Sequence, residues 1–245
     1  MFYGLRLWWL DFQSTFYRCF IEDNRWQYLT KGLGNTLLIT FFSLIIGVVL
    51  GVVVAIIRSS YDKTVQEMRP GFGKVILSIA NFICKIYLTV IRGTPVVVQL
   101  LLGVFVIFMF MGDITVACIV FGVNSGAYVA EIVRSGIMSI DNGQFEAGRS
   151  LGFNYVQTMQ HIILPQAFKN VLPSLANEFI VLIKETSVAG YAGVIDLTKG
   201  GEIIRGRTFE AFMPLIAVAI IYLALVLFFT FLIGKLERRL RSSER

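Results

Sequence analysis

Charge is scarce inside the apolar stretches of this chain, so each charged residue there needs a reason. Glu131 and Arg134 stand three residues apart, one turn along a helix. Glu178, Lys184 and Glu185 interrupt a later apolar run, followed by Thr186 and Ser187. A charge held in a bilayer costs about 2.5–3.5 kcal/mol on insertion scales, so such residues pair with each other or serve a solute path. For Glu131 both readings stand: an ion pair with Arg134, or a pathway lining together with Asn124. For Glu178, Lys184, Thr186 and Ser187 they are contact with a zwitterionic solute or pairing with a second subunit. Lys184 and Glu185 point in different directions on a helix, so they do not form one clamp for a zwitterion.

Catalytic chemistry is poorly served. His161 is the only histidine, and Cys19, Cys84 and Cys118 are scattered without metal-type spacing. Gly71-Phe72-Gly73-Lys74-Val75 has neither the spacing of a phosphate-binding loop nor a Ser or Thr after its lysine. These features predict a chain that is not itself an enzyme. They predict no cofactor bound in it and no metal site.

The elements that position these residues are membrane-length. Of the 245 residues, 56% are hydrophobic, and the mean hydropathy is +0.73. The net charge of +6 fits basic loops against anionic lipid, with no nucleic-acid partner. MFYGLRLWWLDF, broken by Arg6 and Asp11, lacks the features of a cleaved signal. Residues 1–30, with Trp8, Trp9, Tyr17 and Trp26 among charges, read as an interfacial segment, either a lipid-anchored tail or an outer docking surface.

Five spans are expected, at 33–57, 93–112, 114–130, 170–188 and 211–234. The short join at Gly112-Asp113 implies a helical hairpin. Gly47 and Gly51 are either a close-approach pair or ordinary filler. Residues 75–91, with Asn81, Lys85 and Thr89, read as an interfacial helix short of a full span, leading into Arg92-Gly93-Thr94-Pro95. With the N-terminus outside, fourteen Lys and Arg fall on the inner side and seven on the outer. That orientation puts 139–169 and the tail 241–245 in the cytoplasm.

The cytoplasmic segment contains EAGRSLGFNYVQTMQHIILPQ, residues 146–166. It reads as two short helices, one over 144–151 broken by Gly152 and one from Asn154 stopped by Pro165. Val156, Met159 and Ile163 share a face of the second. The pair forms either a knob for a partner's groove or a plain interfacial loop.

This stretch resembles the EAA loop of ABC-importer permeases. Glu146-Ala147-Gly148, Gly152 and Ile162-Ile163-Leu164-Pro165 match its spacing, with Gly148 where the family usually has alanine. With IRGTPVVVQ (91–99), SGAYVAEIVRSGI (125–137) and LPSLANEFIVLIKETSV (172–188), the chain over about 30–240 resembles the polar amino-acid uptake permeases of the histidine, glutamine and arginine type. The resemblance implies an all-α type I importer transmembrane domain over 31–240, in the bacterial cytoplasmic membrane, with its EAA loop at 139–166. Glu146, Ala147, Gly148, Gly152, Ile162, Leu164 and Pro165 would couple it to a dimer of ABC ATPase subunits that binds ATP and Mg. A second permease subunit, identical or related, and an extracytoplasmic amino-acid-binding protein would complete the assembly. The alternative of a stand-alone secondary transporter or channel would predict an internal repeat, and the two halves show none.

Overall fold

The computed structural model describes residues 2–66 and 68–242, with side chains described for 9–66 and 68–238. Residues 243–245 of the expected tail, and the side chains of Arg6, Trp8, Arg239 and Arg241, lie outside that description. No strand occurs among the described residues. The helices are α1 (Phe2–Phe16), α2 (Trp26–Thr64), α3 (Phe72–Gly93), α4 (Val96–Leu102), α5 (Asp113–Met138), α6 (Asn142–Ser150), α7 (Tyr155–Thr158), α8 (Leu164–Glu185), α9 (Leu197–Thr208) and α10 (Phe212–Ser242).

Small residues set the central seam. A Cβ added at Gly51 would lie 2.5 Å from the Val129 side chain and 2.9 Å from the Ala130 nitrogen, so α2 and α5 approach almost to backbone contact. Gly47 meets Ser125, Gly122 meets Ile46, and the Ser43 hydroxyl donates to the Cys118 carbonyl at 3.1 Å. The partners advance together along both helices, so α2 and α5 run parallel. Close approach, not filler, is the role of Gly47 and Gly51.

Four helices are long and apolar enough to cross a membrane: Trp26–Thr64, Phe72–Gly93, Asp113–Met138 and Phe212–Arg238. Three of them contain expected spans. The fourth, α3, corrects the interfacial reading of 75–91. It starts beside the end of α2, where Lys74 reaches the Met68 carbonyl. It then returns along α2, packing Leu88 against Val54, Ala127 and Ala130. The expected run 93–112 is not one helix: α4 covers Val96–Leu102, a wide turn takes Gly103–Ile107, and helix ends there. Thr94, forced extended before Pro95 (φ −119°, ψ 144°), separates α3 from α4. Gln99 on α4 faces Asn124, and Gly103 faces Val116 and Val120. The partners on α5 recede as α4 advances, which makes the hairpin expected at Gly112-Asp113.

The expected span 170–188 is helical as α8, but it is not among the four. Its polar load explains this. Glu178 is buried against α5, where protein rather than lipid covers it.

On the opposite side of the molecule from the 139–166 segment, α9 is capped by Asp196. Its buried carboxylate accepts from the Thr198 and Lys199 amides at 2.9 and 3.1 Å. Within residues 17–25, Cys19 and Phe20 pack inward and join Leu29, Leu197, Ile204 and Val218. Trp9, Phe16 and Tyr17 remain exposed.

Candidate coupling surface and polar track

Helix capping shapes the 139–166 segment. The Asp141 carboxylate accepts the Gly143 amide at 2.6 Å and starts α6. Gly152 adopts φ +82°, and a Cβ added there would meet nothing within 4 Å. It serves the left-handed turn, not a close approach. Asn154 and Gln157 then form a reciprocal capping box at 2.9 Å each way, opening α7.

Pro165 does not stop this helix. A wide turn over Met159–Ile163 carries α7 into α8, with Pro165 in the first turn of α8. The Leu164 amide reaches back to the Met159 carbonyl. That five-residue step accommodates a residue that has no N–H and would crowd a regular turn.

The expected apolar edge of Val156, Met159 and Ile163 also divides. Val156 is exposed, Met159 is half-buried, and Ile163 is fully buried with Val133, Ile137, Ile140 and Ala167. Ile163 anchors the segment, while Leu151 and Val156 face outward, 71% and 57% exposed. Glu146, Ala147, Gly152 and Pro165 are exposed; Ile162 and Leu164 are half-buried. Lys63 at the end of α2 ties the knob down. Its ammonium lies 2.8 Å from the Asn142 side chain and 4.6 Å from the Phe145 ring centre.

Gly148 is buried, and a Cβ there would lie 2.6 Å from both branches of the Thr158 side chain. The residue that departs from the usual alanine is the one on which α7 crosses α6. Burial pushes the Tyr155 phenol above its ordinary value, keeping it neutral.

The membrane candidates do not form one site. Asn124 and Glu178 lie at one level. The Ser125 hydroxyl donates to Glu178 at 2.8 Å, and Asn124 donates to Gln99 Oε1 at 3.1 Å. Gln99 itself donates to the Ile91 and Thr94 carbonyls at 2.7 and 3.1 Å, bridging the α3–α4 break. Glu131 belongs to an ion cluster, with Arg58 at 2.9 Å, Arg134 at 3.2 Å and Arg92 at 3.6 Å. Arg134 also reaches Asp62 at 3.7 Å. Lys184 is exposed, and Thr186 is buried, donating to the Ile183 carbonyl at 2.9 Å. Ser187 lines a separate cleft of about 480 Å³ with Tyr191, Lys199 and Glu202.

Gln99 and Arg58 are the residues that sequence reasoning passed over, while Ser125 figured only as a neighbour of Asn124 on a face related to that of Glu131. Gln99 had a signal, as the lone amide in an uncharged run four residues past Pro95. Arg58 entered only the count of inner charges.

A helical membrane protein with an anchored polar knob between α5 and α8 defines the class: the membrane component of a solute transport system. Residues 74–242 match the family described as binding-protein-dependent transport system inner membrane component, and the chain belongs to that family. Its members are multi-pass inner-membrane permease components of ABC transporters, not the ATPase.

The chain is 36% identical over 239 residues to the arginine transport system permease protein ArtQ of Bacillus subtilis (strain 168), covering 96% of this chain and 99% of that one. That alignment leaves 4% of the chain outside, so it reaches into the first 30 residues, beyond the expected start of the resemblance near 30. The glutamine transport system permease protein GlnP of Escherichia coli (strain K12) is 40% identical over 168 residues, or 66% of this chain and 77% of that one. Among solved structures, an amino acid ABC transporter with histidines superposes with TM-score 0.77 at 37% identity, over 90% of this chain and 98% of that one. The MetNI methionine ABC transporter in inward-facing form shares the fold, with TM-score 0.71 at 21% identity over 87% and 96% of the two chains.

Proposed function

We propose that this chain is the permease subunit of an ATP-driven importer of polar amino acids, coupled to a separate ATPase through residues 139–166. The observation that carries the reading is the knob. Its outer surface offers Glu146, Ala147, Leu151 and Val156, while Ile163 roots it in the α5–α8 core. Relatives named for arginine and glutamine transport supply the solute class.

The ATPase subunits work as a dimer and hold ATP and Mg. A second permease subunit, identical or related, completes the pathway, and an extracytoplasmic binding protein delivers the amino acid. The N-terminus lies outside and the C-terminus in the cytoplasm. Closure of the ATPase dimer moves the knob, and α5 and α8 move with it as a packed body, exposing the pathway alternately to each side. Glu178 and Asn124, tied to Ser125 and Gln99, are the central pathway groups. Lys184 and Ser187 line its outer part with Thr186 packed behind them, and Glu131 lines its inner end.

Reconstitution in liposomes with the ATPase and binding protein tests this. ATP-dependent uptake of radiolabelled arginine or glutamine is expected. Glu178→Gln is expected to keep the complex assembled and change the rate or solute preference. Uptake by this chain alone without ATP would contradict the coupling, and an unchanged solute profile in Glu178→Gln would remove that residue from the pathway.

A further inference from the structure

A cavity of about 550 Å³ opens between α2, α3 and α5, lined by Arg58, Lys85, Thr89, Arg92, Tyr128 and Glu131. Its charges do not balance. Four cations, Arg58, Lys85, Arg92 and Arg134, meet two carboxylates, Glu131 and Asp62. Glu131 is committed to Arg58 and Arg134 at 2.9 and 3.2 Å and holds Arg92 more loosely at 3.6 Å. Lys85 has no ion pair among the described residues, and the buried Arg58 Nε has no acceptor among them. Arg92 leans over the Tyr128 ring at 5.8 Å, which holds its guanidinium at the cavity wall.

The depth makes this surplus consequential. Arg58 ends the uncharged run of α2, and Glu131 ends that of α5. The cluster therefore sits where hydrocarbon gives way to the headgroup region. Uncompensated cations there favour a bound anion.

We propose that this cavity binds an oxyanion on Lys85 and Arg92: the phosphate of an anionic lipid headgroup or the carboxylate of a solute. Lys85, Thr89 and Arg92 share one face of α3, two donors of charge flanking a hydroxyl. The adjacent face of the same helix exposes Phe82, Ile86 and Val90, apolar surface for an acyl chain beside the headgroup pocket. The site lies apart from the level of Asn124 and Glu178; as a lipid site it does not depend on which solute is carried, and as a solute site it rests on the function proposed above.

The test uses the assembled complex in phosphatidylcholine vesicles carrying a trace of photoactivatable phosphatidylglycerol, with photoactivatable phosphatidylcholine as the control. A lipid site gives label in residues 82–93 and 128–131 from the anionic probe only. Lys85→Gln and Arg92→Gln each weaken it about fivefold, and Lys85→Arg keeps it. A solute-carboxylate site gives no lipid label there but binds radiolabelled arginine or glutamine, again with about fivefold loss per cation removed. Lys85 is exposed, so its variant keeps the test intact should Arg92→Gln fail to fold. Equal labelling by both probes, or none, with solute binding indifferent to Lys85→Gln, would overturn the proposal.

Discussion

Along the α2–α5 seam, glycine and serine let two long helices meet nearly backbone to backbone, as at Gly51 against Val129 and Ala130. In the 139–166 segment most residues face outward, and order comes from end-caps at Asp141 and Asn154, a tether at Lys63 and buried anchors at Ile140 and Ile163. The seam is stabilised by dense packing, which resists small displacements. The knob is stabilised by local hydrogen bonds, which leave its surface available to a partner. With no room to shear, the seam makes α2 and α5 one rigid body.

Breaking the seam gives the largest effect. Gly51→Leu pushes side chain into backbone, and overpacking costs about 1–3 kcal/mol even where neighbours can give way. Loss of monodisperse, detergent-extractable protein is expected by size-exclusion chromatography. Gly34→Leu, at an exposed glycine with nothing within 4 Å, is expected to be silent.

Gly148→Ala sharpens the comparison, because it imposes seam-like crowding on the knob. A several-fold fall in ATP-driven uptake is expected with extraction unchanged. Thr158→Ala in the same chain restores uptake, since it removes the clashing branches and a buried hydroxyl without a partner among the described residues. The smallest effect is that of Asn154→Ala. Losing the cap costs about 1 kcal/mol, read as amide exchange roughly fivefold faster at 155–158 by hydrogen–deuterium exchange.

Much of this architecture was legible because polar residues in a membrane chain are few and costly. The EAA spacing located the knob, and Gly152 announced its turn. The interfacial reading of 75–91 fails because it weighs Asn81, Lys85 and Thr89 as signs of an interface, whereas Asn81 is buried and the cavity shared with Glu131 takes Lys85 and Thr89. Pro165 misled for a related reason: a wide turn that absorbs a proline has no signature in residue type. The Glu131 cluster was half visible. Arg134 is close in sequence, but Arg58 and Arg92 arrive from other helices, and no spacing within α5 could announce them.

The central claim is that residues 139–166 are the docking site for a separate ATPase. Purifying the chain from its native membrane, as wild type and as Glu146→Lys, tests it most directly. A nucleotide-hydrolysing subunit that accompanies the wild type and is lost from the variant, with both chains equally well inserted, is the predicted result. Equal retention of that subunit by Glu146→Lys, with transport intact, would contradict the account.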